Sequence, residues 1–233
     1  LLFFLIVQAL LIGCASQSRS GSESVVFQHD FAASPVAWTH DDFDDQPGKF
    51  TFAVFSDLTG GERDGVFDVA IEQLRLLRPE LIINVGDLIE GGSTDQEVIH
   101  AEWDVFDKRV ARSRARVFYV GGNLDLTNPD MWQVWEQRYG KRYYHFVYKD
   151  VLFLVLDTED NPADFQQYVH EIRADAIKVF ETEGFETYSK TEYAKLEERK
   201  SGRIGDRQAA YFREVIERYP DVRWTYLLMH KPA

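Results

Sequence analysis

The sequence has little cysteine, little positive charge and no long apolar run beyond its first residues. One cysteine in 233 residues excludes an internal disulfide. Lysine and arginine total 26 against 39 aspartates and glutamates, which gives a formal net charge of −13. No basic tract is available to neutralise a nucleic-acid backbone, so no nucleic-acid-binding surface is expected. The 45% hydrophobic content is typical of a globular chain that can bury a core.

The N-terminal residues predict export and a lipid anchor. Residues 1–13, LLFFLIVQALLIG, are apolar but shorter than the roughly 20 residues of a spanning helix, and suit a secretory signal peptide. The following LIGC, ending at Cys14, resembles the lipobox of bacterial lipoproteins, in which the cysteine is lipidated. The alternative, an N-terminal helix of the domain, fits poorly with the serine-rich residues 16–24, which are typical of a tether. We therefore expect a cell-envelope protein, anchored to the membrane at Cys14 on the periplasmic or extracellular side.

The rest of the chain divides into an extension and one domain. Residues 14–48 are assigned to the tether and N-terminal extension, in which residues 25–27 predict a short edge strand. Residues 49–233 are assigned to the domain, with a polar helical insert at about 160–205 that should shape substrate access. The chain lacks an initial methionine and a basic region before its apolar run, so we expect its N-terminus to be truncated.

Four apolar runs each end in a residue that can bind a metal. FTFAVF (50–55) leads to Asp57, LIINV (81–85) to Asp87, VFYV (117–120) to Asn123, and WTYLLM (224–229) to His230. Such runs predict buried strands, and ligands of α/β sheets gather at the carboxyl ends of strands. A single acid there is as typical of a turn cap. Four such endings predict a converging set of oxygen and nitrogen ligands for a transition metal.

Two amphipathic helices separate the first three strands, as in an α/β fold. They are predicted over 65–78, and over 94–112 with a capping box formed by Thr94 and Glu97. The positions predicted to face the core are Val66, Ala70, Leu74 and Leu77 in the first helix, and Val98, Trp103, Phe106 and Val110 in the second. A helix over 131–139, a hairpin over 143–156 and a helix over 207–218 complete the prediction.

The motifs SDLTGG, GDLIEGG, GNLD and HKP, each after a strand and in this order, resemble the metal-site motifs of calcineurin-like metallophosphoesterases. The likeness spans 49–233. It implies an α/β fold, an αββα two-sheet sandwich flanked by helices. It also implies an enzyme that hydrolyses a phosphate mono- or diester, with a phosphorylated small molecule as substrate. It also implies two divalent metal ions, drawn from manganese, iron or zinc. By position, Asp57 would bind the first ion, Asp87 would bridge both, and Asn123 and His230 would bind the second.

The sequence departs from the family pattern in three places. Thr59 stands where the first motif usually has a histidine, as in a sub-group with an SDxTGG start. Leu124 stands where the family has the histidine that protonates the leaving group, and Asp125, which orients that histidine, is the one catalytic residue carried over. General acid catalysis contributes about 10²–10⁴-fold to rates, so poor leaving groups should react slowly. The final Gly-His-x-His motif is absent, and we expect the chain to be truncated after Ala233.

These departures keep a second hypothesis open. The chain could be a catalytically impaired homologue that acts as a surface-anchored metal- or ligand-binding protein, and Leu124 is the reason to consider it. A third interpretation, acids that only cap turns, accounts poorly for four motifs in order. The remaining histidines do not follow strand ends, so we predict that they are not ligands: His29, His40, His100, His145 and His170.

Overall fold

The computed structural model describes residues 26–32, 34–41 and 49–233, so the predicted signal peptide and Cys14 lie outside the described residues. Within these ranges there are seven strands: β1 (Phe27–His29), β2 (Phe52–Phe55), β3 (Leu81–Asn84), β4 (Arg116–Phe118), β5 (Tyr144–Tyr148), β6 (Val151–Val155) and β7 (Trp224–Leu228). There are seven α-helices: α1 (Val66–Leu77), α2 (Gln96–Val110), α3 (Pro129–Tyr139), α4 (Ala163–Glu183), α5 (Phe185–Tyr188), α6 (Glu192–Lys195) and α7 (Asp206–Arg218). Two 3₁₀ helices cover Ala111–Ser113 and Glu197–Arg199.

The strands form two sheets. One is parallel, in the order β2-β3-β4, with Phe55 opposite Asn84. The other has the order β1-β5-β6-β7, in which β7 runs parallel to β6 and the other pairs are antiparallel. Because β2, β3 and β4 are parallel neighbours, their carboxyl ends lie side by side at one edge. The loops that follow these strands therefore meet there.

The two sheets pack face to face through aromatic side chains. Phe118 of the parallel sheet stacks on Phe146 of the mixed sheet with ring centroids 4.1 Å apart, and Phe146 stacks on Phe153 at 4.6 Å. Helices cover both outer faces: Phe67 of α1 contacts Phe55 of β2, whereas α7 packs on the outer side of β5 and β6. The predicted α/β two-sheet sandwich is confirmed.

Part of the predicted N-terminal extension belongs to these sheets. The predicted edge strand lies at Phe27–His29, where β1 pairs with β5. Further along, Trp38 bridges Phe118, and Thr39 N–H donates to the Val117 carbonyl at 3.1 Å. The segment therefore covers the free edge of β4, and the Trp38 ring contacts that of Phe118 with centroids 5.8 Å apart.

The predicted core face of α1 is wrong in part. Leu74 packs against the core, as predicted. Phe67 and Ile71 are buried, whereas Val66 and Leu77, predicted to face the core, are 49% and 76% exposed. The segment VFDVAIEQLRLL is apolar at so many positions that two phases of a 3.6-residue period fit it almost equally. Contacts with β2 and α2 decide between them.

The predicted capping box of α2 is also wrong. The helix begins at Gln96, and the cap is Asp95, whose side chain accepts a hydrogen bond from Glu97 N–H at 2.9 Å. Ile99 is buried in place of Val98, which is 46% exposed. Asp95 caps the free N–H groups of the first helical turn, as Thr94 was predicted to do. The helix therefore begins one residue later than a Thr94 cap would place it.

The predicted insert emerges and returns at one point beside β7. Arg203 N–H donates to the Thr158 carbonyl at 2.9 Å, and Gly202 N–H donates to the Pro232 carbonyl at 2.7 Å. Between these closures run α4, α5 and α6, and α4 packs against α3. None of the helices in the described ranges is long and apolar enough to cross a membrane.

Candidate metal centre

Three predicted ligands, Asp57, Asp87 and His230, come together after β2, β3 and β7. Each offers one ligand atom, and these atoms all lie within 4.8 Å of one another. His230 Nε2 is 3.4 Å from Asp87 Oδ2 and 3.2 Å from Asn123 Oδ1, so Asn123 joins the group. Two carboxylates, an amide oxygen and an imidazole nitrogen thus converge, a donor set that suits manganese, iron or zinc.

The two aspartates share an uncommon backbone conformation. Asp57 has φ 56° and Asp87 has φ 57°, both in the left-handed region that non-glycine residues rarely occupy. Asp57 N–H donates to the Gly86 carbonyl at 3.0 Å, and Leu58 N–H donates to the Asp87 carbonyl at 2.9 Å, so the two turns hold each other. Residues in this region cost of order 1–3 kcal/mol and cluster at functional sites.

The loops after β3 and β4 approach so closely that glycine is required. A Cβ on Gly86, which has φ 99°, would lie 2.6 Å from Gly122 Cα and 2.8 Å from His230 Nδ1. A Cβ on Gly122 would lie 2.4 Å from both the amide nitrogen and Oδ1 of Asp87. The glycines of the GD and GN motifs thus allow backbone to pass backbone beside the candidate ligands.

His230 is oriented by a backbone carbonyl. Its Nδ1 lies 2.8 Å from the Val85 carbonyl, to which it donates, and this leaves Nε2 facing Asp87 and Asn123. Metal-binding histidines commonly use their second ring nitrogen in this way. Burial lowers the pKa of the imidazole, but the hydrogen bond and charge of Asp87 outweigh burial and raise it to about 9. A metal must therefore displace a proton from His230.

Asp125 supports the loops that present Asp87. Its Oδ2 accepts hydrogen bonds from the N–H groups of Asp87 and Gly122, at 2.8 and 2.9 Å. Its Oδ1 accepts from those of Leu88 and Ile89, at 2.8 and 3.2 Å. The residue is fully buried, and burial together with the charge of Asp87 raises the pKa of its carboxyl to about 7. The predicted catalytic residue thus holds the backbone of its neighbours.

The structure gives Thr59 and Leu124, the two departures from the family pattern, definite positions. The Thr59 hydroxyl donates a hydrogen bond that is shared between the carbonyls of Asp87, at 3.2 Å, and Ile89, at 3.0 Å. Leu124 donates its backbone N–H to Asp87 Oδ1 at 2.8 Å, and its side chain turns towards Gly60. Thr59 therefore braces the turn that carries Asp87, and Leu124 contributes an amide but no titratable group.

Several residues that shape the site were not predicted. Asn84 is fully buried, and its Oδ1 accepts a hydrogen bond from Val120 N–H at 3.1 Å. Asn128 caps α3 and donates to the Ser93 carbonyl at 2.9 Å, which joins the second and third motifs. Lys231 is paired with buried Glu159 at 2.7 Å. A polar residue inside an apolar strand and an Asn-Pro pair before a helix are signals that point to Asn84 and Asn128.

The family model for calcineurin-like phosphoesterases matches residues 50–233, and the chain belongs to that family. The family implies a dinuclear site for divalent metals. Asp57, Asp87 and His230 form a group that could hold a metal ion. Among solved structures, a dimetal phosphatase from Danio rerio is similar, with 13% sequence identity and a TM-score of 0.50, covering 78% of this chain and 69% of that one. This similarity supports the fold.

Proposed function

We propose that this chain hydrolyses phosphate mono- or diesters of small molecules, with two divalent metal ions bound at the candidate metal centre. The observation that carries the proposal is the convergence of Asp57, Asp87 and His230 within 4.8 Å, with Asn123 beside His230. These side chains come from strands far apart in sequence. Capping alone would not require them to meet, and the donor types fit the metals that the family implies.

The residues of the chain divide the work. Divalent ions in such a centre polarise a phosphoryl oxygen and lower the pKa of water. Asp57, Asp87, Asn123 and His230 would hold the ions. Leu124 N–H fixes Oδ1 of Asp87, and Oδ2 of Asp87 faces His230. Val85 orients His230, and Asp125 keeps the turn of Asp87 in place. The leucine side chain at position 124 cannot protonate a leaving group, so esters with good leaving groups should react best.

The alternative function is metal or ligand binding without turnover. The Leu124 side chain has no titratable proton, so Asp125 has no histidine at position 124 to orient. The four hydrogen bonds that Asp125 accepts come from backbone N–H groups. This alternative requires that the protein hydrolyses no phosphate ester.

The test uses the full-length protein without its signal peptide, assayed with manganese on p-nitrophenyl phosphate and bis-p-nitrophenyl phosphate. Asp87→Asn should abolish hydrolysis, and Leu124→His should raise the rate on a poor leaving group, such as that of ethyl phosphate, much more than on these two substrates. Leu124→Gln is the matched control, since it adds polarity without a general acid. A silent parent that Leu124→His rescues would support the binding alternative. Silence of all variants, with no manganese bound, would refute both.

We also propose that the protein is held in the bacterial cell envelope by lipid on Cys14. The support is the LIGC sequence after an apolar run, followed by serine-rich residues. Cys14→Ser should move the protein from the membrane fraction to the soluble fraction, whereas Ser16→Ala should not. A parent protein already in the soluble fraction would contradict this proposal.

A further inference from the structure

A cleft lies between the insert and the candidate metal centre. It has a volume of about 100 Å³ and is lined by Asn123 on one side and by Arg173, Tyr193 and Arg199 of the insert on the other. Two acidic residues, Glu159 and Glu198, also line it, together with Lys231. That volume is well above the roughly 10–15 Å³ that one water molecule needs, so the cleft has room for a carboxylate or phosphate group. Since Asn123 is also a candidate metal ligand, the cleft opens directly beside the centre.

Two arginines that line the cleft, Arg173 and Arg199, have no carboxylate partner in the part of the chain that the structure describes. Lys231 is paired with Glu159 at 2.7 Å, and the Arg199 guanidinium lies over the Tyr193 ring at 4.7 Å. Arg173 is half-buried, and within the described ranges it forms no ion pair and no hydrogen bond. In a chain with 39 acidic residues, a partly buried arginine without a carboxylate is costly, because buried charges are normally paired.

Arg173 packs beside the loop that follows Asp87. Arg173 Nη1 lies 2.8 Å from where a Cβ of Gly92 would be, in the loop that follows Asp87, so the absence of a side chain at position 92 makes room for the guanidinium. One helical face of α4 presents Arg173 together with Gln166, whose amide donates to the Leu126 and Thr127 carbonyls at 3.0 and 3.1 Å. These bonds fix α4 against the loop that carries Asn123.

We infer that the cleft binds a second anionic group, carried by the alcohol part of the phosphate ester, and that Arg173 is the residue that selects such substrates. The inference rests on the proposed function and adds the substrate class: a small phosphate ester whose alcohol part bears a carboxylate or a phosphate. A guanidinium recognises either group through two parallel hydrogen bonds. Tyr193 and Arg199 line the same cleft, so the Arg199 guanidinium is also available to this second anionic group.

Phosphoglycolate and ethyl phosphate form a matched pair of probes, since they differ mainly in the carboxylate. Binding of each to the metal-free full-length protein is measured by calorimetry, and kcat/KM is measured with manganese. The parent should prefer phosphoglycolate, and Arg173→Gln should weaken phosphoglycolate binding by about 10–100-fold and lower the phosphoglycolate preference in kcat/KM by a similar factor. Arg173→Lys keeps the charge without the fork and should fall between. Lys178→Gln, which removes an exposed charge from the same helix, should change neither.

The outcomes separate this inference from the proposed function. Arginine-dependent binding of phosphoglycolate in a protein that hydrolyses no ester supports the cleft and refutes the hydrolase. Hydrolysis with equal preference for the two probes in the parent and in Arg173→Gln refutes the cleft and keeps the hydrolase. Thermal melting of each variant shows whether it is folded, and a folded Arg173→Gln with less than a twofold loss of binding overturns the inference.

Discussion

Gly86→Ala should damage both the stability and the metal affinity of this protein. The new Cβ would lie 2.6 Å from Gly122 Cα, 2.7 Å from Gly122 N and 2.8 Å from His230 Nδ1, and two of these atoms are backbone. Adding a methyl group to a packed site costs about 1–3 kcal/mol. The backbone conformation at φ 99° adds about 1–2 kcal/mol for any residue with a Cβ. The expected loss is about 2–5 kcal/mol in the free energy of unfolding.

A second glycine separates the two contributions. Gly184 has φ 79° and ψ −177°, and nothing lies within 4 Å of its Cβ position, so Gly184→Ala should lose only the conformational part, about 1–3 kcal/mol. Both variants are measured by urea unfolding, and manganese binding is measured by equilibrium dialysis. Gly86→Ala should also displace His230 and weaken manganese binding, whereas Gly184→Ala should not. Equal destabilisation by the two, with manganese affinity intact, would show that close approach at Gly86 plays no part.

Three further predictions concern single side chains. Thr59→Val should lower the free energy of unfolding by about 1 kcal/mol, seen in urea, and leave manganese affinity unchanged, because the hydroxyl braces carbonyls and is not a ligand; a large loss of affinity would make it a ligand. His230→Gln should weaken manganese binding in dialysis by about 10–100-fold or more, and unchanged affinity would exclude His230 from the site. Burial outweighs the Arg142 charge and raises the pKa of Asp157 to about 6. The folded state thus holds this proton more tightly than the unfolded state, and ionisation should remove roughly 3 kcal/mol of stability as pH rises from 4 to 6. Asp157→Asn should flatten the dependence of unfolding free energy on pH between 4 and 6. An unchanged slope would show that the raised pKa of Asp157 is not its cause.

The sequence predicts that the four candidate ligands meet, because their positions follow from a simple rule. Asp57, Asp87 and Asn123 each follow a strand of the parallel sheet, and parallel strands end at one edge. His230 follows β7, which runs parallel to β6 in the facing sheet. Apolar runs of four to six residues identify such strands without knowledge of the loops. The meeting of the four residues therefore needs only strand order, while their roles as ligands stay predictions.

What the sequence does not predict depends on contacts between distant residues. The bonds from Asp125 to the backbone of Asp87, Leu88 and Ile89 cross more than 35 positions and need the precise height of two loops. The pair of Lys231 and Glu159 likewise forms only when the insert closes on β7. The phase of α1 could not be read because its apolar residues exceed what one helix face requires. Such features follow from packing, not from periodicity.

The place of the N-terminal residues in the sheets sets the reach of the proposed lipid anchor. Because β1 already pairs with β5 from Phe27, only about twelve residues join Cys14 to the folded body. At about 3.3–3.6 Å per residue, that leash cannot exceed roughly 40 Å, close to the thickness of a bilayer with its headgroups. A protein with this tether would stay within a thin layer at the membrane surface. It would therefore encounter esters released at that surface before esters from the bulk solution.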